Sequence, residues 1–284
     1  MVVSRFATGQ YEPLVFVSLR MTLASLFYLS AYLVRPGMSF PKSRRLWLHG
    51  GLFGIFGIAI PMSCYVSSLV YLSSGVVSLF QTLSPAVTVV LAHFWLSDER
   101  MNQYKAIGVF VAFAGAMTLF ANGETGLLEV ARADWRGYAL VSAAVLSASV
   151  GGVYGRKYLR NDSNYDVSTI RMLVSAAILI PVAGLSFGFD LGAIQVSGYL
   201  ALIFTAFFGS FLAFLLNFYI IKRFGATEGS ESSYVTPLAA IVLGALLLKE
   251  LVTPIMIVGM LLMFAGLTII NWAPDTQKHD HHMV

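Results

Sequence analysis

Charged residues are scarce in this chain. Only 11% of its 284 residues are Asp, Glu, Lys or Arg, whereas a soluble globular domain contains about 25%. The hydrophobic fraction is 57%, and the mean hydropathy is +0.77. Apolar runs of about 20 residues, the length a helix needs to cross a bilayer core of about 30 Å, recur along the sequence. The composition therefore excludes a soluble domain and predicts an all-α, polytopic membrane protein.

Cysteine is also nearly missing from the sequence. Cys64 is the single cysteine, so the chain can form neither an internal disulfide nor a cysteine-based metal site. Three histidines fall in the polar tail, 274–284, where they form no rigid site. We therefore expect neither a metal nor a cofactor. The net charge of +4 does not indicate nucleic-acid binding, because the basic residues lie in short loops.

Enzyme motifs are missing as well. The sequence contains no G-x-x-x-x-G-K-[ST] phosphate loop and no H-E-x-x-H, and no hydrophobic segment carries a pair of aspartates. These absences argue against an ATP-driven pump domain, a zinc protease and an intramembrane aspartyl protease. We expect that the protein is not an enzyme.

Nine hydrophobic segments are predicted to span the bilayer, four before the central loop and five after it. They are residues 13–34, 46–72, 76–96, 106–120, 137–158, 167–187, 197–221, 227–248 and 254–272. The predicted organisation is a first half at 1–121, a linker loop at 122–136, a second half at 137–273 and a polar tail.

One stretch of the first half, 84–119, recurs in altered form in the second half at 236–270. Both copies contain Ser/Thr-Pro, an apolar run, one glutamate and two glycines. Pro85 and Pro237 are 152 positions apart, and Arg20 precedes Arg171 by 151. Three further pairs are each separated by 151 positions: Glu99 and Glu250, Gly108 and Gly259, and Gly115 and Gly266. A period this long predicts two related halves rather than a solenoid.

The repeat predicts that the first half lacks one helix. Moving the segment 137–158 back by 151 positions leaves only its last turn on the chain, at Val3, Ser4 and Arg5. We expect residues 137–151 to have no counterpart. Truncation of the sequence is the favoured interpretation, and a fold that dispenses with the helix is the alternative.

Loop charges predict the orientation of the chain in the membrane. Sixteen of the eighteen lysines and arginines lie in loops or at the ends of spans, twelve on one set of alternate loops and four on the other. Basic residues favour cytoplasmic loops, so the C-terminus should be cytoplasmic. Five spans in each complete half would insert the halves in opposite orientations, as in many secondary transporters.

The paired Ser/Thr-Pro, Glu, Gly and Gly skeletons, together with the Leu/Ile-Arg-Met segments, resemble the EamA-like branch of the drug/metabolite transporter superfamily. The resemblance covers the whole chain except the missing first helix. It implies inverted five-helix halves in the inner membrane and alternating access. It also implies export of amino acids, other metabolites or drugs, without identifying the solute or deciding whether protons or an exchanged solute drive transport. A membrane-embedded enzyme acting on lipid or prenyl groups and a channel remain the alternatives.

Polar and aromatic side chains near the two helix prolines are the candidate substrate-binding residues. Proline removes a backbone hydrogen bond, so Pro85 and Pro237 should kink their helices. Gln81 and Ser233 each precede a proline by four residues and should share its helix face. The other candidates are Tyr65, Asn217, Tyr234 and Glu231, although interhelical hydrogen bonding, or pairing of Glu231 with a nearby cation, would also explain these residues.

Four charged residues at repeat-related positions are expected to have structural roles. Arg20 and Arg171 lie about two turns into their spans, where a guanidinium can reach loop carbonyls or headgroups. Glu99 and Glu250 lie at span ends, where each can cap the next helix or pair with the adjacent Arg100 or Lys249.

The topology can be tested with reporter fusions. Fusions after Val34 and after Lys278 should report a cytoplasmic location, and an insertion within 121–131 should report a periplasmic one. Alkaline phosphatase activity and green-fluorescent-protein emission measure the two locations. A cytoplasmic signal from 121–131 would contradict the inverted arrangement.

Overall fold

The computed structural model describes residues 1–34, 39–96, 99–128, 130, 134–216 and 232–272. All regular structure within these ranges is helical. The helices are α1 (Val2–Ala7), α2 (Pro13–Val34), α3 (Arg44–Ser68), α4 (Ser74–Trp95), α5 (Gln103–Asn122), α6 (Trp135–Leu159), α7 (Asn164–Phe187), α8 (Val196–Leu216), α9 (Ser232–Leu248) and α10 (Pro254–Trp272). The prediction of an all-α membrane protein is confirmed.

The number of spans differs from the predicted nine. In the described ranges, eight helices are long and apolar enough to cross a bilayer, namely α2 to α8 and α10. The expected span 227–248 is represented by α9, whose apolar part, Ser233–Leu248, is shorter than the others. Its expected first residues lie outside the described part of the chain.

Side-chain caps set several helix starts. A Ser, Asn or Asp immediately before the helix accepts a hydrogen bond from a backbone N–H of the first turn, which satisfies a donor that lacks an intrahelical partner. The capping residues are Ser43, Ser73, Asn102, Asp134 and Ser163, before α3, α4, α5, α6 and α7 respectively.

Two helices contain a π-helical turn at related positions. The turn Ile55–Ala59 interrupts α3, and Phe207–Leu212 interrupts α8. Their first residues are 152 positions apart, the same separation as the two prolines, and Gly57 and Gly209 occupy equivalent places within them. Wider π-helical turns change the local hydrogen-bonding pattern and are frequent at functional sites.

Helices α5 and α10 pack closely through the glycines of the repeated motif. Gly108 lies against the carbonyl oxygen of Gly266, and Gly115 lies against that of Gly259. Small residues permit close approach of helix backbones in membranes. Each motif therefore pairs its first glycine with the second glycine of the other motif. This exchange is what a two-fold axis perpendicular to two antiparallel helices produces.

A pair of glycine substitutions tests the importance of this contact. A Cβ on Gly115 would lie 2.7 Å from the Gly259 oxygen, whereas a Cβ on Gly152 of α6 would meet nothing within 4 Å. Gly115→Ala should destabilise the protein by about 1–3 kcal/mol through overpacking. Gly152→Ala should stabilise it by about 0.5–1 kcal/mol, because alanine favours a helix. Thermal unfolding in detergent measures both, and equal midpoints would contradict the prediction.

Candidate functional site

A cavity of about 430 Å³ lies between elements of the two halves. The first half contributes residues of α1, α2, α3 and α4, and the second contributes residues of α8 and α9. The lining residues are Met1, Val2, Val3, Ser4, Arg20, Met62, Gln81, Phe204, Thr205, Gly209, Val235, Thr236, Ala239, Ala240 and Leu243. This volume falls in the range of small-molecule sites, which are mostly apolar with a few polar groups.

The polar side chains of the lining come from both halves. Ser4, Arg20 and Gln81 belong to the first half, and Thr205 and Thr236 belong to the second. None of the described lining residues is an Asp or a Glu. The wall therefore offers hydroxyl groups, one amide and one guanidinium to a solute.

The predicted binding residues are distributed unevenly around this cavity. Gln81 lines it, at the end of the first helical segment of α4. Tyr65 is instead 2% exposed and packs in the core with Leu69 and Val141. Asn217 and Glu231 lie outside the described residues.

Tyr234 is directed toward α10. Its hydroxyl accepts a hydrogen bond of 3.2 Å from Nδ2 of Asn271 and lies 3.4 Å from Oγ1 of Thr268. Its ring makes an edge contact with Phe264, with centroids 5.3 Å apart. Ser233 is half-buried beside it and is not part of the cavity lining. These contacts join α9 to α10.

The two prolines occupy different positions in their helices. α4 is interrupted at residues 82 and 83, and Pro85 lies in the first turn of the segment that follows. Pro237 lies inside α9 and is buried, next to the cavity residue Thr236. The helices of both prolines border the cavity, and each contributes one polar lining residue, Gln81 from α4 and Thr236 from α9.

Arg20, which the sequence predicted to have a structural role, is one of the cavity residues. Its side chain is in the wall of the cavity and only 7% exposed. Nε donates to Oγ of Ser210 at 2.9 Å, Nη1 to Oγ of Ser4 at 3.3 Å, and Nη2 to the carbonyl oxygen of Gly209 at 3.1 Å. Ser210 and Gly209 belong to the π-helical turn of α8. Arg20 thus connects α2 to a helix of the other half.

Arg171, the repeat mate of Arg20, lies in a different environment. Its guanidinium is 4.2 Å from the ring centroid of Phe214 and 5.2 Å from that of Phe53. Such contacts between a cation and an aromatic face are attractive and strengthen when desolvated. Arg171 is not part of the cavity lining. Two arginines that are equivalent in sequence therefore have different neighbours in the folded chain.

The two repeated glutamates both connect the halves. Glu250 is 9% exposed and accepts hydrogen bonds from N and Oγ of Ser74, at 2.9 and 2.7 Å, at the first residue of α4. Glu99 forms an ion pair with Arg156 of α6. The sequence predicted a cap for the following helix or a pair with the adjacent cation. In the structure, each partner belongs to the opposite half.

The comparisons with known proteins agree with this architecture. The family model described as the EamA-like transporter family matches residues 1–121 and 135–272. The chain therefore belongs to the EamA-like transporter family, and it is a multi-pass membrane protein. A crystal structure with 22% sequence identity superposes with a TM-score of 0.67, covering 95% of this chain and 94% of the other, so the two share a fold.

Three similar curated proteins are named as transporters rather than enzymes. An uncharacterized transporter of Archaeoglobus fulgidus is 23% identical, over 94% of this chain and 91% of its own length. The uncharacterized transporter YvbV of Bacillus subtilis is 25% identical, over 97% and 88%. The uncharacterized inner membrane transporter YedA of Escherichia coli is 25% identical, over 85% and 76%.

The two glutamate links should contribute differently to stability. Glu250→Ala leaves the buried N–H of Ser74 unpaired, which costs about 1–3 kcal/mol, and leaves its hydroxyl with only the longer bond of 3.5 Å to the Ala240 carbonyl oxygen. Glu99→Ala removes an ion pair whose side chains are 27% and 47% exposed, and such pairs contribute about 0–1 kcal/mol. Thermal unfolding midpoints of the two variants measure the difference. An equal or larger loss in Glu99→Ala would contradict it.

Proposed function

We propose that this protein is a secondary transporter that exports small metabolites, amino acids or drugs through the cavity between its halves. The observation that carries this proposal is the cavity itself, with polar side chains of both halves in a wall that is otherwise apolar. Binding between two related halves near mid-membrane is the usual plan of transporters built from inverted repeats.

Alternating access requires contacts between the halves that break and form in turn. One group of links lies near Glu250: its bonds to Ser74 join the two halves, and a bond of 2.8 Å from Oγ1 of Thr253 to Oε2 of Glu124 joins the second half to the linker loop. A second group lies near Arg156, which pairs with Glu99. We propose that these groups close opposite ends of the cavity, and that the close α5–α10 contact stays intact while the halves rock.

We further propose that the chain lies in the inner membrane with its C-terminus in the cytoplasm. The supporting observation is the clustering of basic loop residues. Arg45 pairs with Asp162 at 3.2 Å, and Nζ of Lys157 donates to the carbonyl oxygen of Trp95 at 3.3 Å. These contacts join helix ends beside three of the loops predicted to be cytoplasmic, which supports a location of these loops on one side of the membrane, and their basic residues favour the cytoplasmic side.

Reconstitution in liposomes tests transport directly. Purified protein should give saturable uptake and counterflow for a solute in a panel of amino acids, organic acids and cationic dyes. Flux that does not saturate would indicate a channel. Turnover of lipid or prenyl substrates without solute movement would indicate the enzyme alternative.

Filling the cavity should block transport. Ala239 lines the cavity, whereas Val242 on the same helix does not and is 54% exposed. Ala239→Phe should reduce the transport rate at least tenfold, because the new ring occupies space needed by the solute. Val242→Phe is the matched control and should retain the rate. Both variants are compared per folded molecule, using gel-filtration yield. Equal rates would place the transport path elsewhere.

Loss of the Gln81 amide should weaken binding while preserving the fold. Gln81→Ala should raise the half-saturating solute concentration about five- to tenfold, because one polar contact of the wall is lost. Uptake at a series of solute concentrations measures this shift. If unfolding temperature falls while transport per folded molecule is intact, Gln81 is a packing residue instead.

A further inference from the structure

Arg20 places a positive charge in the buried interior of the membrane-spanning region, where a charge costs free energy. The residue lies within a membrane-spanning helix and is 93% buried, and an arginine at the centre of a membrane helix is strongly disfavoured unless it is paired or wet. Arginine remains protonated in proteins, so the charge cannot be removed by deprotonation. The partners of this guanidinium therefore decide what it can do.

All described partners of Arg20 are neutral. They are two serine hydroxyls and one carbonyl oxygen. A guanidinium has five N–H donors, and these three bonds use one donor each on Nε, Nη1 and Nη2. Each terminal nitrogen keeps one further N–H. A pair of N–H groups on the two terminal nitrogens matches the two oxygens of a carboxylate, which arginine binds in a bidentate manner.

No acid in the described chain neutralises this charge. The cavity lining contains neither Asp nor Glu, and the ion pairs found in the described ranges do not include Arg20. Glu250 is held by the backbone and side chain of Ser74. The guanidinium of Arg171, by contrast, is covered by two aromatic rings outside the cavity. Of the two related arginines, Arg20 is the one that a solute in the cavity can reach.

We propose that Arg20 is the anion-binding group of the cavity and that the transported solute carries a carboxylate. This inference rests on the proposed transport function and narrows its substrate class. The carboxylate supplies the charge partner that the described chain lacks, while the apolar residues Met62, Phe204 and Leu243 contact the remainder of the solute. A cationic drug is disfavoured, because it would meet a guanidinium with no acid in the lining to offset the repulsion.

A purely structural role for Arg20 is the competing explanation, since its bonds join α2 to the π-helical turn of α8. The two roles differ in one measurable property. A structural arginine stabilises the protein whatever the solute is, whereas an anion-binding arginine makes binding depend on the charge of the solute.

The test uses pairs of compounds of nearly equal size in which an amide replaces the carboxylate: hexanoate and hexanamide, benzoate and benzamide, and phenylalanine and phenylalaninamide. Purified protein is titrated with each compound, and the rise in unfolding temperature gives an apparent affinity. Uptake of the same compounds into proteoliposomes is then quantified by mass spectrometry. The wild type should bind and transport at least one carboxylate at least tenfold better than its amide.

Three variants separate the explanations. Arg20→Gln should reduce the preference for carboxylate over amide to less than twofold. Arg20→Lys should keep a smaller preference, because it retains the charge but loses the bidentate geometry. Arg5→Gln is the matched control: Arg5 is a second cation of the same N-terminal region that donates to the Leu69 carbonyl and does not line the cavity. Its preference should equal that of the wild type.

Each outcome is decisive. A wild type that binds no carboxylate better than its amide overturns the inference without any variant, even if Arg20→Gln fails to fold. An unchanged preference in a folded Arg20→Gln also overturns it. Saturable transport with either result leaves the transport function intact. Carboxylate binding that requires Arg20, without movement of any compound across the membrane, would support the site and reject transport.

Discussion

A polar group inside a bilayer must find its partner within the protein, because hydrocarbon offers none. The contacts between the two halves follow from this constraint. Glu250 accepts the N–H and hydroxyl of Ser74, and Arg20 donates to Ser210 and to the Gly209 carbonyl. In each case the partner belongs to the other half. Most apolar surface can face lipid at little cost, so polar pairs and close backbone contacts, rather than hydrophobic burial, specify how the halves fit.

The pairing of related elements gives the molecule its approximate symmetry. In the contact between α5 and α10, the first glycine of each motif lies against the second glycine of the other. Each helix with a π-helical turn also packs against a helix of the other half that carries one of the two related arginines. The symmetry breaks at the arginines. Phe53 and Phe214 cover the Arg171 guanidinium, whereas the cavity borders Arg20. A binding site for an asymmetric solute requires such a break, because two equivalent walls would offer equal contacts to both ends of the solute.

The sequence repeat predicted the region of the candidate site more accurately than it predicted the individual lining residues. The spacing from Pro85 selected Gln81, which lines the cavity. Thr236, which immediately precedes Pro237, also lines it. The same reasoning selected Tyr65 and Tyr234, which lie in a packed core and against α10 respectively. Helix position can be read from sequence, but the rotation of a helix about its axis depends on its neighbours. In a membrane span, apolar residues cover both the lipid face and the packed face, so the pattern gives little information on rotation.

The sequence alone determined the all-α membrane class, the existence of two related halves and the family resemblance, because apolar length, loop charge and a motif that recurs at a constant separation are properties of the chain order itself. Tertiary structure decided which partners the repeated residues find. Glu99 and Glu250 were expected to act within their own halves, and both bond across the interface. Arg20 was expected to anchor structure, and it also lines the cavity. Contacts between distant residues depend on how the helices pack in three dimensions, and a single sequence contains no direct record of that packing.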